Sequence, residues 1–176
     1  MAAVGRALHS WSMAEMTLQS LFWRASGIQD HQRAVAAFAA IISFDARLKV
    51  CHEIMGTYNL SPTDRLVWNG IFAAAQKLMK ARNECAHFGL ASGSSGASIV
   101  PYFSWATLGD GKPSIKQVSV DEIGLREAKF NDLSHSFLWV QGLVEFLNEG
   151  TPRDPLPNPD LVLRLQAKAA LTLAET

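Results

Sequence analysis

Charge is scarce in this chain. Of 176 residues only 18% are Asp, Glu, Lys or Arg, and 16 basic side chains face 16 acidic ones for a formal net charge of zero. An ordinary soluble domain carries about 25% charge. The even balance excludes a general polyanion coat, because no global positive field exists to gather phosphates. Low charge together with 48% apolar residues excludes intrinsic disorder. Cysteine is scarce too. Cys51 and Cys85 are the two present, both fall within helical patterns without metal-type spacing, and reduced core thiols are expected. The longest mainly apolar run, Ala34 to Phe44, is 11 residues between Arg33 and Asp45, where a membrane span needs about 20. The first residues lack the continuous apolar segment of a secretory signal, being interrupted at His9 and Ser10. A cytoplasmic protein without a membrane partner is the expectation. Also missing are a glycine-rich phosphate loop, His-Glu-x-x-His, a Cys-x-x-Cys pair and a Gly-x-Ser-x-Gly elbow. No cofactor and no metal are therefore expected. A neutral, charge-poor chain this rich in apolar residues is expected to bury part of its surface by self-association.

What is present is helical periodicity. Leu8, Trp11, Ala14, Leu18, Leu21, Phe22 and Ala25 recur at helical spacing and predict a first helix over residues 8–25, stopped by Ser26-Gly27. A second is predicted over 31–55, with Val35, Phe38, Ile41, Ile42, Leu48 and Met55 on one face. The third opens on Ser61-Pro62-Thr63-Asp64, which combines a capping serine, a proline suited to the first helical position and a carboxylate three residues after the cap. It continues to about Phe88. Ala91 to Gly96 then reads as a flexible loop. The β-prone, aromatic run Ile99–Leu108, the turn at Gly109–Pro113 and the return Ile115–Val118 predict a hairpin. Ser119-Val120-Asp121-Glu122 caps a fourth long helix that Gly150 ends, with Ile123, Phe130, Leu133, Phe137, Val140 and Val144 on its stripe. Prolines 152, 155, 157 and 159 make a stiff linker to a short helix over 160–174. The expected fold is mainly all-α: an antiparallel bundle of four long helices, with the hairpin at about 97–118 inserted before the fourth. One domain is expected, with bundle residues 1–149 and residues 150–176 as its linker and last helix.

Polar side chains trespass on these stripes. Arg82 lies in line with Trp68, Ile71, Ala75, Leu78 and Ala86, near the middle of the third helix's apolar arc. Arginine is almost never fully buried without a partner. Arg82 therefore faces either a carboxylate or a cleft where an anion docks. Asn83 and His87 stand four apart on a neighbouring face, within mutual reach, and His87 also suits the carbonyls of a helix C-terminus. In the second helix Asp45, Lys49 and His52 can form one polar ladder, or simply an intrahelical Asp45–Lys49 pair beside a core-edge histidine. Glu15, at the rim of the first helix's apolar arc, is a candidate partner for Arg82.

The run Lys80-Ala81-Arg82-Asn83-Glu84-Cys85-Ala86-His87-Phe88-Gly89 resembles the signature of the HEPN superfamily, an arginine followed by a polar residue and, after four to six positions, a histidine. The Ser43-Phe44-Asp45-Ala46-Arg47-Leu48 stretch in the preceding helix agrees with it. The resemblance implies a helical bundle that dimerises with itself through the third helix. It also implies a metal-independent endoribonuclease in a defence or toxin–antitoxin setting, with RNA as substrate and an antitoxin protein as partner. In that chemistry His87 would be the general acid or base, Arg82 would clamp the scissile phosphate, and Asn83 would orient His87 or the phosphate. With no net charge, weak and salt-sensitive RNA binding is expected. The alternative it leaves is a non-catalytic dimeric scaffold or small-ligand and nucleotide-binding module, with Arg82 in a structural ion pair.

Overall fold

The computed structural model describes residues 2–93, 96–101, 118–150 and 158–174. These are mainly helical. The six helices are α1 (Ala2–Ala25), α2 (His31–Ala40), α3 (Phe44–Gly56), α4 (Pro62–His87), α5 (Val120–Glu149) and α6 (Asp160–Ala174). The caps legible in the sequence form as expected. The Ser61 hydroxyl accepts from the Asp64 N–H at 3.1 Å and donates to the Asp64 carboxylate at 2.7 Å, opening α4. Ser119 accepts from the Glu122 N–H at 3.1 Å, and Gly150 closes α5 with φ +64°, a left-handed turn that glycine adopts without a Cβ clash.

The single helix expected over 31–55 is two helices. Ile41 leaves α2 in an extended conformation, and Ser43 caps α3 by accepting from the Ala46 N–H at 3.1 Å. Arg47 Nε donates to the Ile41 carbonyl at 2.8 Å, and its guanidinium lies 5.0 Å from the Phe38 ring centre. The break thus has a capping hydroxyl and a cation to satisfy the carbonyl it frees. One consequence overturns the expected stripe: Phe38, Leu48 and Met55 are buried, but Ile42 is 97% exposed.

The expected hairpin is also displaced. Strand β1 (Phe88–Gly93) follows α4 directly and pairs antiparallel with β2 (Gly96–Pro101), Phe88 opposite Pro101 and Gly93 opposite Gly96. Four of the six residues read as a flexible loop are therefore strand, namely Ala91–Gly93 and Gly96. The loop reading failed because small residues at 91–97 carry little propensity of either kind, so backbone pairing decided their state. Residues 102–117, which include most of the predicted hairpin, lie outside the described residues, as do 151–157 of the proline-rich linker.

Helix direction departs from the antiparallel expectation. Arg6 meets Glu127 at 3.2 Å, Thr17 meets Ser134 at 3.4 Å, Ser20 meets Gln141 at 2.9 Å and Arg24 meets Glu145 at 3.3 Å. The two sets of numbers rise together, so α1 and α5 run parallel. The connection from α2 to α3 explains why. α2 begins with His31 against Trp23 (4.4 Å between rings) and still has Phe38 against Phe22 (5.4 Å). The stretch from Phe38 to Phe44, which meets Trp11 (4.6 Å), takes the chain back along α1. α3 then runs forward again, and Tyr58 just beyond it donates to the Ala25 carbonyl at the end of α1. α4 returns, bringing Ala81, Glu84 and Cys85 to Arg126 near the start of α5. Of α1, α3, α4 and α5, three therefore point one way and α4 the other.

The core lies among these four. Trp11, Leu18, Leu21, Leu48, Met55, Trp68, Ile71, Phe130, Leu133 and Phe137 are buried, and Trp11 meets Phe130 edge-on at 5.3 Å. α6 lies outside, against α4 and α5. Leu165 sits so close over Gly70 that a β-carbon there would collide with it. The Asp132 carboxylate accepts from the Leu161 N–H at 3.0 Å and faces Arg164 at 3.6 Å, so a side chain of α5 caps the first turn of α6.

Candidate functional site

The last two turns of α4 carry the residues of interest. Arg82 is partly buried and Asn83 exposed. One Arg82 Nη donates to the Asn83 side-chain oxygen at 3.1 Å, while its Nε is buried without an acceptor among the described residues. Among those residues no carboxylate pairs with Arg82. The His87 backbone closes α4, five residues on; its side chain lies outside the described residues.

The other candidate polar residues lie elsewhere. Asp45 is engaged within α3, 2.6 Å from the Lys49 ammonium. That hydrogen bond, with the Lys49 charge and Gln76, holds the Asp45 carboxyl below the usual carboxylate range against a small burial penalty. The intrahelical pair is thus present, and His52 does not extend it into a ladder. Its ring stacks instead on α4, 4.1 Å from the Phe72 ring and 6.0 Å from the Trp68 ring, with Nδ1 buried and unpartnered among the described residues. Residues 68–72 and 82 are separated by ten or more positions, about 15 Å along a helix axis. Glu15 on α1 forms no hydrogen bond or ion pair with Arg82 among the described residues. Arg82, Asn83 and the end of α4 form one group; Asp45, His52 and Glu15 do not join it.

The buried arginine at this end of the molecule is another one. Arg126 of α5 is 7% exposed. One Nη donates to the Ala81 carbonyl at 3.2 Å and approaches the Cys85 sulfur at 3.6 Å. The other donates to Glu84 at 2.8 Å and to Glu122 at 3.0 Å. Burial opposes its charge, but the hydrogen bonds it donates to Cys85, Glu122 and Glu84 outweigh that penalty and raise its pKa above the ordinary arginine value. The sequence contained the signal: Arg126 is three residues after Ile123 and four before Phe130, inside the α5 stripe, as Arg82 is inside that of α4. The same stripe argument applied to α5 finds it.

The two arginines now stand in contrast. Arg126 is engaged at both terminal nitrogens by protein groups, a cation beside the last two turns of α4, the negative end of that helix. Arg82 has one side-chain neighbour and donors to spare. A guanidinium in that condition is suited to a docking anion, which its planar fork can hold through two hydrogen bonds. Lys77 and Lys80 on the same helix are exposed and add positive charge nearby.

Among the described residues no group of three or more His, Cys, Asp or Glu side chains is placed to hold a metal ion, and no helix is long and apolar enough to cross a membrane. Comparison with protein-family models, with curated proteins and with solved structures returns no match to this chain.

Proposed function

We propose that the protein is a HEPN-type endoribonuclease, working without a metal ion as a homodimer whose α4 helices face each other. The observation that carries this reading is the state of Arg82. Its guanidinium sits one turn before His87 on the same helix, beside Asn83, with no carboxylate neutralising it among the described residues.

In this reading an RNA phosphodiester docks on Arg82, whose fixed charge stabilises the negative charge that builds on the phosphoryl oxygens. His87 removes the proton of the 2′-hydroxyl, the 2′-oxygen attacks phosphorus, and the bond to the 5′-oxygen breaks. The imidazolium returns the proton to that leaving oxygen, giving a 2′,3′-cyclic phosphate and a free 5′-hydroxyl. Imidazole suits both directions, because the free group titrates at about 6.5, close to neutral pH. Asn83 holds Arg82 in its docking orientation through the contact between them. With no net charge on the chain, the attraction for RNA is local to the α4 ends, and affinity falls as salt rises. A toxin restrained by an antitoxin protein fits such an activity.

The test is cleavage of single-stranded RNA by the purified chain in EDTA, with end-group analysis and light scattering for oligomeric state. Cyclic phosphate ends, a dimer and loss of cutting in His87→Ala and Arg82→Ala at unchanged melting temperature are expected. A folded parent that leaves RNA intact would remove the nuclease reading and favour the non-catalytic scaffold.

A further inference from the structure

α4 ends at His87, and a strand begins at the next residue, so nothing within the helix itself continues past the proposed site. Such a terminus frays unless something holds it: the last four carbonyls of a helix have no intrahelical donor, and the final turn is its least stable part. Here the hold comes from α5. The Arg126 guanidinium touches three positions of the last two turns, Ala81, Glu84 and Cys85, and ties them to Glu122 in the first turn of α5. Cys85 is 2% exposed, so this contact is also the point where the turn packs against α5.

The spacing makes the contact directional. At about 100° per residue, Ala81, Glu84 and Cys85 share one face of α4, while Arg82 and Asn83 fall about 100° and 200° farther round from Ala81. Pinning the first three sets the rotation of the helix end, and with it the direction in which the other two project. A rigid planar fork with several donors suits that task better than a single point charge.

We propose that Arg126 is a positioning residue for the proposed site: from α5 it locks the last turns of α4, so that Arg82, Asn83 and His87 are presented in one fixed orientation. This rests on the reading of Arg82 and His87 as the nuclease pair, and it predicts that Arg126 acts without touching RNA.

Arg126→Met alone leaves Glu84 and Glu122 without their shared cation and is expected to lower stability, which says little about positioning. The informative variant is Glu122→Gln/Arg126→Met, which keeps the net charge at zero. In the full chain, at a temperature where it and the parent are both folded, kcat for RNA cleavage is expected to fall at least tenfold while KM changes less than threefold. Arg126→Lys, which keeps a donor but loses the fork, is expected to recover part of that loss. Parent-like kcat in the double variant would overturn the proposal.

A second measurement separates this idea from the nuclease reading. Amide hydrogen exchange at residues 84–87 is expected to quicken at least tenfold in the double variant, with residues 50–55 of α3 unchanged. If the parent cuts no RNA but these amides respond, the nuclease reading fails and the anchoring of the α4 end stands. If exchange at 84–87 is unchanged, Arg126 does not hold that turn, whatever the activity.

Discussion

Arg6 and Glu127, 121 positions apart in the chain, meet at 3.2 Å, and the same separation recurs farther along α1, where Ser20 donates to Gln141 at 2.9 Å. A constant offset over that length is the register of two parallel helices. Their shared interior, with Trp11 edge-on to Phe130, carries the stability of the pair; the polar contacts at its margin set alignment.

That division predicts unequal mutational costs. Phe130→Ala should lower unfolding free energy by about 3–5 kcal/mol, because both the transfer energy and the remaining cavity count. Arg6→Ala should cost no more than about 0.5 kcal/mol, since an exposed ion pair is screened by water. Urea unfolding followed by circular dichroism compares the two, and a larger loss in Arg6→Ala would contradict the assignment of stability to the interior.

The break between α2 and α3 has its own signature. Ile42→Ser should leave stability within about 0.5 kcal/mol of the parent, because the side chain is already in water. Phe38→Ala should cost about 3–5 kcal/mol. Ser43→Ala, which removes the α3 cap, should cost about 1 kcal/mol. A continuous helix over 31–55 would reverse the order of the Ile42 and Ser43 effects.

α6 depends on Asp132. Asp132→Ala removes the acceptor for the Leu161 N–H and the partner of Arg164, and should destabilise by about 1–2 kcal/mol. Hydrogen exchange should quicken across α6 while α1 keeps its protection. Equal acceleration in both helices would mean that α6 is not a separately docked element.

Cys51 is buried against the core, and desolvation pushes the pKa of its thiol from the ordinary 9.0 up to about 12. The folded protein thus holds this proton more tightly than the unfolded chain. The resulting stability is fully present below pH 9 and is lost as pH rises from 9 towards 12. Two outcomes follow. Cys51 should resist an aromatic disulfide reagent at pH 8 until denaturant is added. The stability difference between the parent and Cys51→Ala should also narrow as pH rises through that window. A difference that stays constant with pH would show the thiol to be solvated.

Much of this structure is written in short stretches of chain. Ser61 with Asp64, Ser119 with Glu122, and Gly150 end or begin helices where capping chemistry places them, because a cap involves groups within four residues of each other. The buried faces of α1 and α5 likewise follow from spacing alone, as does the Asp45–Lys49 pair. Ile41 to Ser43 misled for a related reason. Apolar periodicity ran unbroken through them, without glycine or proline, and the competing serine cap gave a weaker signal than the stripe.

Direction and partnership belong to the folded molecule. Local periodicity tells a helix which face to bury, not which neighbour will cover it or which way that neighbour runs. The parallel course of α1 and α5 arises because the stretch from Phe38 to Phe44 returns the chain along α1 before α3 begins. The two arginines separate for the same reason. Arg82 and Arg126 occupy equivalent places on their stripes, and only packing brings Glu84 and the Ala81 carbonyl to one of them. Partners 42 and 45 residues away in the chain decide that Arg126 is engaged within the protein, while among the described residues the Arg82 side chain hydrogen-bonds to Asn83, its neighbour in sequence.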